Sequence, residues 1–151
     1  MRIAIVTTAF DPLAEWARFD QANSKSGATA SFVGRCRSDS NGTAVNSLEL
    51  EHYPGFTEST IATFVEGIAA RLALRDVAVI HRVGAIAPGD AIVLVAAASA
   101  HRAPAFKAVE EIMDFLKTGA PFWKREVTAA GAAWIEPTAL DQRRGASRNT
   151  T

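Results

Sequence analysis

Residues 104–128, PAFKAVEEIMDFLKTGAPFWKREVT, decide how the fold is interpreted. The large apolar side chains of the first half recur at helical spacing, at Phe106, Val109, Ile112, Met113 and Leu116. Gly119 and Pro121 end the helix that we predict over residues 104–118. The residues after them predict a strand over 123–128. This stretch therefore predicts a helix joined to a strand by a short connection.

Strand and helix patterns alternate irregularly along the rest of the chain. Further strands are predicted over residues 2–7, 28–33, 45–53, 77–83, 91–97 and 132–135. A helix capped by Asp11 is predicted over residues 12–19, and a second helix, capped by Thr57, carries an apolar stripe to Leu72. Residues 21–27 are predicted as a loop, and residues 35–42 as a long hairpin connection. This order favours a single-domain α+β fold with a largely antiparallel sheet packed by helices.

Length and composition set the domain organisation. The chain has 151 residues, of which 48% are hydrophobic, enough for one domain with a sizeable core. We predict that residues 1–136 form that domain. Residues 137–151 contain one large aliphatic side chain, Leu140, and are predicted to be a flexible tail.

Charge and cysteine content exclude several classes of function. Sixteen basic and sixteen acidic side chains cancel, and without a broad basic stripe we expect no nucleic-acid partner. One cysteine excludes an internal disulfide, and the three histidines lack the spacing of a zinc site, so we expect neither metal nor cofactor. The first eight residues do not resemble a signal peptide, and no apolar run reaches the roughly 20 residues that span a bilayer. We therefore expect a cytoplasmic protein without a membrane anchor.

Two lysines are the first candidates for chemistry. Lys117 and Lys124 flank the apolar and aromatic sequence Ala-Pro-Phe-Trp. A lysine against such a wall loses hydration, which lowers its pKa and lets it act as an acid, a base or a nucleophile. The alternative is that both are solvated surface charges, the usual situation of lysine.

Three further positions are candidates on chemical grounds. His101 and Arg102 follow a predicted strand and precede a helix, where backbone N–H groups can help to hold an anion; the alternative is that His101 only caps or packs there. Cys36 lies between Arg35 and Arg37, which would favour a thiolate. Because a lone cysteine is more often a small packing residue, we do not assign it to catalysis.

Five stretches carry a resemblance to a known family. They are residues 32–37 (FVGRCR), 50–58 (LEHYPGFTE), 81–84 (HRVG), 99–102 (SAHR) and 112–126 (IMDFLKTGAPFWKRE). Together they resemble the large, catalytic subunit of molybdopterin synthase, in consistent order over residues 28–135. The block from Leu116 to Lys124 is the most specific of them.

The resemblance implies a function and an assembly. It implies a hammerhead-type α+β fold and a sulfurtransferase of molybdenum cofactor biosynthesis. The sulfur would come from the C-terminal Gly-Gly thiocarboxylate of a small ubiquitin-like carrier subunit. Its acceptor would be cyclic pyranopterin monophosphate, which two transfers convert into the dithiolene of molybdopterin. The family assembly implied is a homodimer at the centre of a heterotetramer.

The resemblance also assigns residues. The catalytic lysines of the family match Lys117, expected to be the essential acid, base or nucleophile, and Lys124, expected to support it. The pocket positions of the family match Phe32, Arg37, His101, Arg102 and Met113. Cys36 and Phe56 depart from the family pattern, but both are compatible with an apolar position. The alternative function is a non-catalytic scaffold that binds the tail of a ubiquitin-like protein.

Overall fold

The computed structural model describes residues 1–40 and 42–136. Within them lie three helices, α1 (Pro12–Ala22), α2 (Phe56–Arg71) and α3 (Arg102–Thr118). The strands are β1 (Arg2–Val6), β2 (Ala28–Arg35), β3 (Asp39–Ser40), β4 (Thr43–His52), β5 (Asp76–Arg82), β6 (Gly84–Ile86), β7 (Ala91–Ser99), β8 (Phe122–Thr128) and β9 (Gly131–Trp134). The tail predicted over residues 137–151 lies outside the described residues.

The first sheet has the strand order β1-β5-β7-β2 and contains the main core. Its two central strands, β5 and β7, are buried on both faces, which fits their nearly continuous apolar sequences. Helices α2 and α3 cover one face, where Ile61, Val65 and Ile112 are fully buried. Helix α1 covers the other face through Phe19. All pairs in this sheet are antiparallel except β1 with β5, so the predicted α+β, largely antiparallel fold is confirmed.

The second sheet joins β3, β4, β8 and β9, with β6 also paired to β4. Its inner face packs a smaller apolar cluster that includes Leu48, Leu50 and Ile86. In this sheet β8 lies antiparallel to β4, with Lys124 opposite Leu50 and Phe122 opposite His52. This register places the strand that carries Lys124 between two neighbours, β4 and β9.

Several predicted boundaries are wrong for physical reasons. Helix α1 continues to Ala22 because Asn23, which follows it, donates to the Phe19 carbonyl and to the Asp76 carboxylate. Helix α2 is capped by Gly55 rather than Thr57: Gly55 has a φ of 81°, and its N–H donates to the Glu58 carboxylate at 2.7 Å. Thr57 is instead fully buried inside the first turn.

The predicted loops at 35–42 and 84–86 contain short strands. Asp39–Ser40 pairs with β4, and Gly84–Ile86 pairs with Leu48 to Leu50. Strands of two and three residues are too short for an alternating pattern, and their partners identify them. Helix α3 begins at Arg102, two residues before the predicted start, because Pro104 is tolerated in the first turn of a helix.

Candidate active site

The start of β8 is held by Thr57. Its hydroxyl accepts from the Tyr53 N–H at 3.0 Å and donates to the Pro121 carbonyl at 3.2 Å. Since Thr57 is fully buried, these bonds are protected from water. They tie the junction of β4 and α2 to the residue before β8, and so they fix where the strand that carries Lys124 begins.

The last turn of α3 presents Lys117. This lysine is exposed, and Met113 lies one turn before it on the same helix face. Met113 is half-buried against the main core. The helix ends at Gly119, where an added Cβ would lie 2.8 Å from the Phe115 ring, so glycine lets the chain turn tightly into β8.

Lys124 is the group whose proton affinity the fold changes most clearly within the candidate site. Its side chain keeps contact with solvent, yet crowding of its ammonium group by protein is the largest cause that lowers its pKa. The positive charges of Lys117 and Arg37 lower that pKa further, while Glu126 and Cys36 oppose the effect. Lys117 and Arg37 therefore lie near enough to Lys124 for their charges to act on its ammonium group.

Cys36 lies at the same place but is not a reactive thiol. It is buried in the second apolar cluster, and burial raises the pKa of its thiol above the ordinary value. The thiolate that Arg35 and Arg37 were expected to favour is therefore disfavoured, because desolvation outweighs the nearby positive charge. This agrees with Cys36 as a packing residue.

His81 is a site-adjacent residue that sequence reasoning did not select. It is buried at the end of β5, and its ring stacks on Phe122 with centroids 4.2 Å apart. Burial, followed by the charges of Lys124 and His52, lowers the pKa of His81 to about 4. The available signal was a histidine directly after the apolar run 77–80, a position where a polar group needs a specific partner.

His101 and Arg102 lie at the other end of α3. Both are exposed, and His101 is the N-cap without a side-chain capping bond. A helix rises about 1.5 Å per residue, so Arg102 and Lys117 are about 22 Å apart along the axis. The structure therefore does not bring His101 and Arg102 to the two lysines within one chain.

Phe32 lies on the edge strand β2 of the first sheet. Its side chain is 43% exposed, and its Cε1 atom is 3.3 Å from the position of a Cβ built on Gly34. That Cβ would also be 2.8 Å from Val93, so glycine leaves the space that the aromatic ring occupies. Phe32 is thus an exposed aromatic group five residues before Arg37.

The described ranges, residues 1–40 and 42–136, contain neither a cluster of metal-ligating side chains nor a membrane-spanning helix. In those ranges no group of three or more histidine, cysteine or acidic residues could hold a metal ion. No helix of the described chain is long and apolar enough to cross a membrane.

Comparison with known proteins identifies the family. The model of the family described as "MoaE protein" matches residues 5–119. The chain is 46% identical over 142 residues to the molybdopterin synthase catalytic subunit of Caulobacter vibrioides, covering 94% of this chain and 93% of that one. The chain belongs to the MoaE protein family. Another family member, the molybdopterin synthase catalytic subunit of Escherichia coli, is 51% identical over 116 residues, 77% of each chain.

Solved MoaE structures have the same fold. The molybdopterin biosynthesis MoaE protein of Burkholderia ambifaria superposes with a TM-score of 0.81 at 41% identity, covering 99% of both chains. The molybdopterin synthase of Staphylococcus aureus superposes with a TM-score of 0.79 at 29% identity, covering 87% of this chain and 95% of that one. The predicted family and fold class are therefore confirmed. The family model ends its match at Gly119, before β8, whereas the Burkholderia ambifaria structure covers 99% of this chain.

Proposed function

We propose that this chain is the catalytic subunit of a molybdopterin synthase, a sulfurtransferase. It takes sulfur from the C-terminal thiocarboxylate of a small ubiquitin-like carrier and transfers it to cyclic pyranopterin monophosphate. The observation that carries the proposal is the convergence of Lys117, Lys124 and Arg37 at the junction of α3 and β8. The family of the chain supports the same function.

Local positive charge is what this reaction needs. The thiocarboxylate is an anion and the pterin carries a phosphate, so the two reactants repel each other unless cations lie between them. A chain with a net charge of zero must supply those cations locally, and the junction of α3 and β8 does so. A Gly-Gly tail suits delivery into such a site, because glycine lets a backbone approach closely.

The two lysines have different proposed roles in the sulfur transfer. The thiocarboxylate sulfur bonds to a pterin carbon and displaces an oxygen substituent, which takes up a proton and leaves. Water then cleaves the acyl–sulfur bond: its oxygen enters the carrier carboxylate, a proton is released, and the sulfur stays on the pterin as a thiol. Lys117 is the proposed essential group, as acid, base or nucleophile, and Lys124 supports it. The lowered pKa of Lys124 supports this role, because a lysine that loses its proton more readily can accept one from the reacting water.

We propose that two of the pocket residues, His101 and Arg102, come from a second protomer. His101 and Arg102 are suited to a phosphate, but about 22 Å of helix separates them from Lys117. A two-fold symmetric dimer places one surface against the same surface of its partner and can bring opposite ends of two helices together. We propose that the chain is a homodimer whose site combines Lys117, Lys124 and Arg37 of one protomer with His101 and Arg102 of the other. Phe32 and Met113 would supply apolar contacts to the substrate or the carrier tail.

The wider setting of the enzyme follows from its partners. Residues 1–136 are proposed as the catalytic domain. The carrier subunit is proposed to bind each end of the dimer, which gives a heterotetramer. A cytoplasmic location is proposed, which suits a chain whose one cysteine is a buried free thiol.

A reconstituted reaction tests the function. The chain is mixed with thiocarboxylated carrier and cyclic pyranopterin monophosphate, and the dithiolene product is measured in a single turnover. Two thiocarboxylates should be consumed for each dithiolene, which contains two sulfur atoms. Carrier that ends in a carboxylate is the control, and it should bind without giving product.

The same experiment separates the enzyme from the scaffold alternative. A scaffold would bind both forms of the carrier and give no product with either. Mixed dimers of Lys117→Ala and Arg102→Ala protomers test the shared site. At a pterin concentration below the KM both homodimers are impaired, and the mixed dimer regains one intact site if each site uses both protomers. Activity of the mixture that stays at the average of the two homodimers would contradict the shared site.

A further inference from the structure

Two adjacent residues at the end of β5, His81 and Arg82, support the segments that carry Lys124 and Arg37. The first, His81, is 7% exposed, and its Nδ1 lies 2.9 Å from the Arg82 carbonyl, to which it donates in the neutral tautomer. Its ring stacks at 20° on Phe122, the first residue of β8. Phe122 lies two positions before Lys124, on the same face of the strand. His81 therefore supports the strand face from which Lys124 projects.

The second residue, Arg82, supports the segment that carries Arg37. Its Nη1 donates to the Asp90 carboxylate at 2.8 Å, and its Nη2 donates to the Ala85 carbonyl at 3.1 Å. The Asp90 carbonyl in turn accepts from the Cys36 N–H at 2.9 Å, and the Cys36 carbonyl accepts from the Gly89 N–H at 2.8 Å. Arg82 thus fixes the turn to which the residue before Arg37 is bonded.

We propose that His81 and Arg82 are positioning residues, which hold Lys124 and Arg37 close together against their mutual repulsion. This inference rests on the proposed function of the site. Neither residue belongs to the set matched to the substrate. They act from behind it, His81 through the Phe122 ring and Arg82 through Asp90 and the Cys36 backbone.

A neutral aromatic ring is suited to the position of His81. The ring packs on Phe122 and adds no positive charge near Lys124, because the buried histidine has a pKa of about 4 and is neutral at pH 7. The charged or titratable groups that act on Lys124 are Lys117 from α3, Glu126 from β8, and Arg37 and Cys36 after β2. The groups that act on His81 are Lys124 from β8 and His52 from β4.

The role of His81 is tested by measuring the proton affinity of Lys124 in the absence of turnover. The full-length protein is labelled with acetic anhydride over a range of pH, and acetylation of each lysine is quantified by mass spectrometry, with Lys25 as the internal reference. His81→Ala admits water beside Lys124, so the midpoint of Lys124 labelling should rise by at least about 0.5 pH unit. His81→Phe keeps a ring against Phe122 and should restore most of the wild-type midpoint.

The role of Arg82 is tested by measuring the KM for the phosphorylated pterin. Arg82→Gln should release the 87–90 turn and raise the KM for the phosphorylated pterin about tenfold, because a small displacement of a positioned group is costly. Its effect on the Lys124 midpoint should be smaller than that of His81→Ala. Asp90→Asn should reproduce the KM change, and the double variant should be no worse than either single variant, since both act through one ion pair.

Val65→Ala controls for a general loss of stability. Val65 is buried on α2 in the main core and makes none of the contacts through which His81 and Arg82 act, so its loss should lower stability without moving the Lys124 midpoint or the KM. A Lys124 midpoint that is unchanged in His81→Ala, or that moves equally in Val65→Ala, would overturn the proposal. Wild-type protein that gives no dithiolene would overturn the proposed function instead, and the labelling result would stand apart from it.

Discussion

The two ends of helix α3 carry basic side chains in different surroundings. At its start, His101 and Arg102 are exposed, and the helix cap has no side-chain bond. At its end, Lys117 lies near Lys124 and Arg37, and the crowding lowers the pKa of Lys124. Cations that remain hydrated are suited to attract and release an anion, whereas a crowded lysine is suited to exchange a proton. Within one chain, the length of helix α3 therefore separates the residues suited to anion binding from the lysines suited to proton exchange.

The difference depends on what packs behind each end. Behind Lys124 lie the buried ring of His81, the Phe122 ring and the second apolar cluster. Near the start of α3, Ser99 donates to the His101 carbonyl and accepts from the His101 N–H, which shapes the backbone and leaves the imidazole at the surface. Burial is the largest cause of the lowered pKa of Lys124, and the neighbouring charges of Lys117 and Arg37 add to it.

Loss of Lys117 should have the largest effect. Lys117→Ala should lower single-turnover sulfur transfer at least about 100-fold, the usual contribution of a positioned acid or base. The exposed side chain contributes little to the core, so the thermal midpoint and carrier binding should remain near wild type. Lys124→Ala should impair transfer less completely. Wild-type turnover by Lys117→Ala would remove the chemical role assigned to this end of the helix.

The buried histidine behind Lys124 should make stability depend on pH. The unfolded chain binds a proton at His81 near pH 6.5, whereas the folded chain does so only near pH 4. The unfolded state therefore binds more protons between these values, and unfolding free energy should fall by about 3 kcal/mol as pH drops from 7 to 4. Urea unfolding at several pH values measures this.

His81→Phe is the matched variant for that experiment, because it cannot titrate and should lose this slope. Asp76, whose pKa is lowered overall by Asn23 and the N-terminal amine against the opposing effect of burial, loses its contribution at lower pH. Equal slopes in wild type and His81→Phe between pH 4 and 7 would show that His81 is not buried as described.

Substitution at the start of α3 should affect binding rather than proton exchange. Arg102→Ala should raise the KM for the phosphorylated pterin about tenfold, within the range of a lost charge-assisted hydrogen bond, and should leave the Lys124 labelling midpoint unchanged. Lys107→Ala is the control, since Lys107 is an exposed cation on the same helix that pairs with Glu111. A shifted pH midpoint of Lys124 labelling in Arg102→Ala would contradict the separation of anion binding and proton exchange between the two ends of α3.

The smallest effect is expected at Cys36. Cys36→Ser should change turnover less than about twofold and lower stability by about 1 kcal/mol, because a buried thiol is replaced by a more polar group. Turnover and urea unfolding of the same sample measure the two quantities. An inactive Cys36→Ser variant that remains folded would instead indicate sulfur chemistry at this position.

The helices and long strands could be predicted because their patterns are local. The stripe that includes Ile112 and Leu116 indicates α3, and the break at Gly119 and Pro121 indicates its end. The parallel pairing of β1 with β5 and the short strand β6 could not be predicted, since each depends on a partner distant in sequence.

The same distinction applies to the site. The two lysines were found because an aromatic sequence lies between them, which is a local signal. His81 was missed because its partner, Phe122, lies 41 residues later in the chain, and only the folded sheet brings the rings together. The distance between Arg102 and Lys117, by contrast, was implicit in the predicted helix length.

The hydrogen bond from Thr57 to Pro121 has a consequence for synthesis of the chain. It joins residues 64 positions apart, and β8 pairs with β4 across a similar separation. Such non-local contacts form late, because a long loop must close first. The chain is made from its N-terminus, so the long strand β4 is synthesised before β8 and has one unpaired edge until β8 follows. An unpaired strand edge is a site of aggregation. A nascent chain stopped before residue 122 would therefore lack the site and expose the edge, so the segment that completes the enzyme also protects it.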